Sequence, residues 1–265
     1  MGVSFALYIP IRIMKNSKRI LLALILTIFV ILPLSYALSS KPGPEGNSKK
    51  DDKYYQVVMI WVKDPAKFQK YGELMGPIVS KYGGRGERIL TPVSTFYGGE
   101  TGKSLSQPHM VNIVYYDSKE AYEKFEKDPE FLKIKSMRDE SIEMAGIGGT
   151  SLAGELIKGG VEDRLYMIEF AYYSDKKGSA YKKYEQGSQG FSQRLGLKKE
   201  RVLKPDNSFG NIDMPDMVTV KYLEKESDKP NMEKDQDHSK VEELYGAAIR
   251  DLIWIEGKAA FTNME

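Results

Sequence analysis

A twelve-residue stretch of this chain recurs in divergent form, and that duplication constrains the fold more than any single residue does. Lys81-Tyr82-Gly83-Gly84-Arg85-Gly86-Glu87-Arg88-Ile89-Leu90-Thr91-Pro92 returns as Arg194-Leu195-Gly196-Leu197-Lys198-Lys199-Glu200-Arg201-Val202-Leu203-Lys204-Pro205. Pro108-His109-Met110-Val111 is echoed by Pro215-Asp216-Met217-Val218, and Lys70-Tyr71 by Lys183-Tyr184 at the spacing of the longer repeat. A chain of 265 residues has room for two such units of roughly 100 residues each.

Hydrophobic periodicity fills in each unit. Tyr54 to Val62 is a β-rich run, and Asp64-Pro65 after it supplies an N-cap and a first-turn proline. Phe68, Tyr71, Met75, Ile78, Val79 and Tyr82 then recur at helical spacing until Gly83-Gly84, where a left-handed cap is expected. Strands follow at about Glu87 to Tyr97 and Met110 to Tyr116. Asp117-Ser118 opens a helix that is re-capped at Asp128-Pro129 and carries Phe131, Ile134, Met137 and Ile142. The last strand lies near Gly148 to Leu156.

The second unit repeats this order. Strands are expected at Leu165 to Tyr173, Lys198 to Leu203, Met217 to Leu223 and within Leu252 to Phe261, with helices at Ala180 to Leu195 and Ser239 to Arg250. Each half therefore reads β-α-β-β-α-β, over residues 54–157 and 163–262, the split ferredoxin-like unit. Glu224 to Lys240 is a charged insertion read as a solvated surface loop.

The N-terminal region differs in kind. Residues 1–37 hold Arg12, Lys15, Lys18 and Arg19 and no acid, ahead of an apolar run from Ile20 to Leu34 and the small residues around Ser35-Tyr36-Ala37. This reads as a cleaved signal peptide or an uncleaved membrane anchor, so the globular part is expected to be exported, periplasmic or secreted. Residues 38–53 read as a flexible linker. Without the leader the chain carries 35 basic and 37 acidic residues, which offers no electrostatic surface for nucleic acid. Cysteine is absent, which excludes disulfides, thiolate metal sites and a cysteine nucleophile.

The opening Tyr-x-Val strand running into Asp64-Pro65, the Lys81-Tyr82-Gly83-Gly84-Arg85 turn, Tyr116-Asp117-Ser118 and Asp128-Pro129-Glu130-Phe131 together resemble a domain-of-unknown-function branch of the dimeric α/β-barrel superfamily. The resemblance covers residues 54–157, and the second half looks like a divergent copy. It implies an α+β fold in which two ferredoxin-like sheets close on each other as a barrel, here within one chain. The bare sheet face of such a unit also demands a partner on physical grounds. The motifs are structural and say little about chemistry.

Strand alternation nominates the lumen. Tyr55, Val57, Met59 and Trp61 are expected inward from the first strand, and His109, Val111, Ile113 and Tyr115 from the third. In the second half Asp216, Val218, Val220 and Tyr222 are their equivalents, with Glu169 and Ala171 near the positions of Met59 and Trp61. Glu169 and His109 are the candidate acid–base residues, although an ion pair to Glu169 and a strand-start hydrogen bond to His109 explain them more simply. Tyr55, Trp61, Tyr115 and Tyr222 are the candidate ligand-binding aromatics, which core packing explains equally well. Alternation also sends Glu87 and Arg88, or Glu200 and Arg201, to opposite faces. An inward arginine would hold an anion, and a surface salt bridge is the plainer reading. His238 falls in the charged insertion. No histidine–carboxylate spacing builds a metal site, and no cofactor is called for.

Three functions fit. The first is a module binding a small apolar or aromatic ligand between the sheets. The second is a cofactor-independent oxidoreductase, monooxygenase or isomerase, as the wider superfamily implies. The third is a haem protein, which only His109 or His238 could ligate through histidine. The partners expected are thus a small molecule and the chain's own second repeat, with a membrane contacted only through the N-terminal segment.

Overall fold

The computed structural model describes residues 53–102, 104–154, 163–175, 177–229 and 234–262. The leader and most of the linker, residues 1–52, lie outside the described residues. Four strands fall where period-two patterning places them: β1 (Tyr54–Val62), β3 (Met110–Tyr116), β5 (Leu165–Tyr173) and β7 (Met217–Leu223). The partly exposed strands run longer: β2 (Arg85–Gly98), β4 (Ile142–Gly154), β6 (Lys198–Phe209) and β8 (Ile249–Thr262).

All eight pair antiparallel in the closed order β1-β3-β2-β8-β5-β7-β6-β4. Each half contributes a β-α-β-β-α-β sheet. The barrel closes where β2 pairs with β8 and β4 pairs with β6, so both seams join one half to the other.

Helices cover the outer face of each sheet. In the first half α1 (Pro65–Lys81) starts at Asp64, whose carboxylate accepts the Lys67 N–H at 3.0 Å, and it buries Phe68, Tyr71 and Ile78. It ends at Gly83 with φ of 69°, the left-handed conformation the sequence calls for. The re-capping at Asp128 divides α2 (Lys119–Glu126) from α3 (Pro129–Ser141). Tyr54, Ile78, Tyr116, Tyr122, Phe125 and Phe131 form the core between these helices and the sheet. In the second half α4 (Ser179–Arg194) starts where Asp175 accepts the N–H groups of Ser179 and Ala180, and α5 (His238–Ala248) packs beside it. His238 thus opens a helix and stacks near Phe191 at 6.2 Å, rather than lying in a loop. Glu226–Asp228 of the charged insertion is a 3-10 turn.

One boundary differs from the sequence pattern. Ile142, read as the last residue of a helical stripe, is the first residue of β4, which therefore begins ahead of the strand expected near Gly148 and takes in the glycine-rich run Gly146-Ile147-Gly148-Gly149. The glycines belong in a strand because aromatic rings cross them. A Cβ on Gly148 would stand 2.8 Å from Tyr54 Cζ, and one on Gly146 would stand 3.0 Å from Phe209 Cζ.

Asp128 ties this half together. It is 1% exposed, accepts the Glu130 and Phe131 N–H groups at the start of α3, and receives Lys81 Nζ at 2.8 Å and Tyr82 OH at 2.7 Å. Lys81, Tyr82 and the two backbone donors hold its carboxyl well below the usual aspartate range. A depressed folded-state value means its stabilisation is complete above the unfolded value of about 4 and is lost as pH falls through the folded one. The stability gap between wild type and Asp128→Asn is therefore expected to narrow in urea titrations as pH drops from 7 to 3. A gap that stays constant would contradict this account.

A buried arginine and tyrosine site in the barrel

Side chains from all eight strands meet inside the barrel as one cluster. Tyr55, Val57, Met59 and Trp61 from β1, Val111, Ile113 and Tyr115 from β3, and Val218, Val220 and Tyr222 from β7 point inward as alternation requires. The middle of the lumen is filled by apolar residues such as Met59, Ile113, Phe170 and Ile253. Its two ends are polar and differ sharply.

At the end where β1 and β5 begin, four charged residues are buried. Glu87, Arg88, Glu200 and Arg201 are 2%, 0%, 1% and 3% exposed. Simple alternation would bury only one of each Glu-Arg pair, and the surface salt bridge expected from it does not occur. The cause is a register shift in both strands, between Gly86 and Arg88 against β3 and between Lys199 and Arg201 against β7. The extra residue of each bulge lets glutamate and arginine both point into the lumen. Arg88 Nη1 then reaches Glu200 from the opposite side of the barrel, and Arg201 Nη2 reaches Glu87 at 3.2 Å. Burial pushes the Glu87 carboxyl up; Arg201 opposes the shift and Glu200 adds to it.

Tyrosines frame the charges with the same twofold relation. The Arg88 guanidinium lies 4.1 Å from the Tyr166 ring centre, and that of Arg201 lies 4.3 Å from Tyr55. Tyr55 packs against Tyr115 at 5.9 Å, and Tyr166 against Tyr222 at 6.0 Å. Toward the rim, Lys53 Nζ sits 4.2 Å over Tyr115 and Arg164 sits 4.6 Å over Tyr222. Glu224 accepts from Arg164 at 2.7 Å and Lys198 at 2.6 Å.

The structure thus gathers Tyr55, Tyr115 and Tyr222 and adds Tyr166, which the sequence reading missed. Its signal was present: Tyr54-Tyr55 and Leu165-Tyr166 stand at matching starts of β1 and β5. Trp61 lies at the opposite end, where its indole donates to the Ser106 carbonyl at 2.9 Å. Its counterpart Tyr172 donates to the Asp213 carbonyl at 2.9 Å. These bonds hold the β2–β3 and β6–β7 loops over that end. A cavity of about 300 Å3 lies between the loops, lined by polar groups including Glu100, Asn211 and Asp213, with no basic or aromatic residue among its described walls.

His109 and Glu169 do not face the lumen. His109 is exposed at the start of β3, and its Nδ1 accepts the Val62 N–H at 2.8 Å. Asp216, its repeat counterpart, accepts the Tyr173 N–H at 2.8 Å, so both cap the end of the neighbouring strand. Glu169 corresponds to Val58 rather than Met59, because Tyr55 matches Tyr166 and Trp61 matches Tyr172. That single-residue offset reverses its face. Glu169 is instead fully buried beneath α4 and α5, where Lys221 Nζ lies 2.5 Å away and Tyr245 OH 3.2 Å away. The lysine ion pair is the simpler of its two sequence readings. Ala171 likewise packs toward the helices, against Tyr181 and Ala248. Among the described residues, no three histidine or carboxylate side chains gather into a metal cage.

Residues 53–147 match the family described as "Domain of unknown function (DUF1330)". No curated protein matches the chain. Among solved structures, an anthrone oxidase-like protein is 16% identical with a TM-score of 0.52, over 80% of this chain and 94% of that one. A mutant chlorite dismutase from Candidatus Nitrospira defluvii is 10% identical with a TM-score of 0.50 over the same shares. At such identities the likeness is one of fold. The first repeat is thus similar to the DUF1330 family, and with the second it closes one eight-stranded antiparallel barrel, the fold of those solved structures, inside a single polypeptide.

Proposed function

We propose that the barrel binds a small aromatic molecule at the end where β1 and β5 begin, between the Tyr55–Tyr115 and Tyr166–Tyr222 pairs. One observation carries the reading: both halves bring two tyrosines and two cations to the same buried place, with a cation over each ring. Aromatic walls with a few fixed polar groups are the usual composition of a small-molecule site. The apolar filling at mid-barrel confines the ligand to this end and favours a single ring. Lys53 and Arg164, lying over the outer tyrosines, are the side chains a ligand would move aside.

An enzymatic use of the same place would draw on Glu87, whose burial favours its protonated form, since His109 and Glu169 lie elsewhere. The test is calorimetric titration of the full chain with phenol, benzamide and benzoate. At least one probe is expected to bind, and Tyr55→Leu and Tyr222→Leu should each weaken it about tenfold, roughly the 1.4 kcal/mol of one aromatic contact. If no probe binds, or if both variants bind like wild type, the proposal fails.

A further inference from the structure

We infer that the ligand of this site is a planar carboxylate and that Arg88 is its anchor; the inference rests on the aromatic-site reading above. Arg88 is 0% exposed and spends Nη1 on Glu200. Its Nε and Nη2 are buried and have no hydrogen-bond acceptor among the described residues. Buried polar groups are nearly always satisfied, and an unsatisfied one calls for a physical explanation. Here the two donors are neighbours. Nε–H and Nη2–H project side by side from one edge of the guanidinium, at the spacing of the two oxygens of a carboxylate.

The second half does not repeat this arrangement. Arg201 commits Nη2, half of the corresponding edge, to Glu87. The protein-facing contacts of the two arginines are therefore unlike, although their tyrosine contacts match. An aromatic acid would stack its ring among the tyrosines while its carboxylate meets the Arg88 edge. Charge balance permits the added anion. The buried quartet is formally neutral, Glu87 takes up a proton more readily than an ordinary glutamate, and Lys53 stands at the rim.

Benzoate and benzamide share a ring and differ in charge, so they separate this inference from the reading beneath it. With the full chain, benzoate is expected to bind at least tenfold more tightly than benzamide. Arg88→Lys keeps the positive charge facing Glu200 but loses the fork, and it should reduce benzoate affinity at least tenfold, a clearly larger factor than its effect on benzamide. A readout on the unaltered protein guards against a variant that fails to fold: the Arg88 Nε–H resonance should move downfield as benzoate is added, and further than with benzamide, whose neutral carbonyl is the weaker acceptor. Equal affinity for the two probes, or an unmoved Arg88 resonance at saturating benzoate, overturns the carboxylate assignment while the aromatic site stands. Failure of both probes to bind overturns the two together.

Discussion

Replacing Glu200 with alanine is expected to destabilise the protein by about 3–5 kcal/mol, the usual cost of removing one partner from a buried ion pair. Arg88 would keep its charge in a place without water, with none of its three guanidinium nitrogens bonded to a described side chain. The stacked Tyr166 ring cannot replace a carboxylate, because a desolvated cation–π contact is worth about 2 kcal/mol or more yet accepts none of the in-plane N–H groups that loss of Glu200 would leave unpaired. Removing the arginine as well should reverse most of the loss. Arg88→Met with Glu200→Leu leaves apolar volume where two desolvated ions stood, and such exchanges are often neutral or stabilising. Urea unfolding of Arg88→Met, Glu200→Leu and the double variant gives the coupling directly. A loss below about 1 kcal/mol for Glu200→Ala would mean that water reaches the quartet. Glu87→Ala should cost less, since its contact to Arg201 is longer and its carboxyl is already displaced toward the neutral form.

The second large effect is expected outside the barrel. Glu169→Val should also cost about 3–5 kcal/mol, because Lys221 is 7% exposed and Glu169 is its close anion. Tyr245 would lose its acceptor at the same time. Burial alone would pull the Lys221 ammonium down, yet Glu169, helped by Tyr184 and Tyr181, holds it above the ordinary lysine value. With the glutamate gone, burial prevails and the folded-state value drops below the unfolded one. The unfolded chain then binds more protons than the native one, so the variant should gain stability between pH 7 and pH 9. The first half already shows an apolar solution. Val58 and Val114 occupy the places of Glu169 and Lys221. Glu169→Val combined with Lys221→Val is therefore expected to return to within about 1 kcal/mol of wild type or above it. If the single variant unfolds at the wild-type urea concentration, the pair contributes nothing that its burial implies.

The sequence disclosed the architecture because its signals are local. Half-buried strands such as Tyr54–Val62 and Met217–Leu223 alternate, and Asp64-Pro65 and Gly83 mark a helix by their own backbone preferences. What it concealed depends on pairing. A bulge is a relation between two strands, so nothing in Gly86-Glu87-Arg88 announces that two consecutive side chains share a face. Glu169 was displaced by one place for the same reason: only pairing to β7 and β8 fixes which neighbour of Phe170 looks inward. The early start of β4 at Ile142 was hidden likewise, because only the packed rings of Tyr54 and Phe209 across Gly148 and Gly146 make that glycine-rich run a strand. Three of the four tyrosines at the site were readable from alternation, and an inward arginine was one of two readings, but the bulges that turn glutamate and arginine inward together were not.

Joining two halves head to tail in one polypeptide also changes what the barrel can count. A barrel made of two identical subunits carries every side chain in duplicate, so any feature off its axis has a twin. In this chain Val58 faces the helices where its partner position has Glu169, and the edge of Arg88 differs from that of Arg201. A guest held by the Arg88 edge would therefore load in a ratio of one per barrel, a stoichiometry that off-axis sites in a homodimer of repeats do not provide.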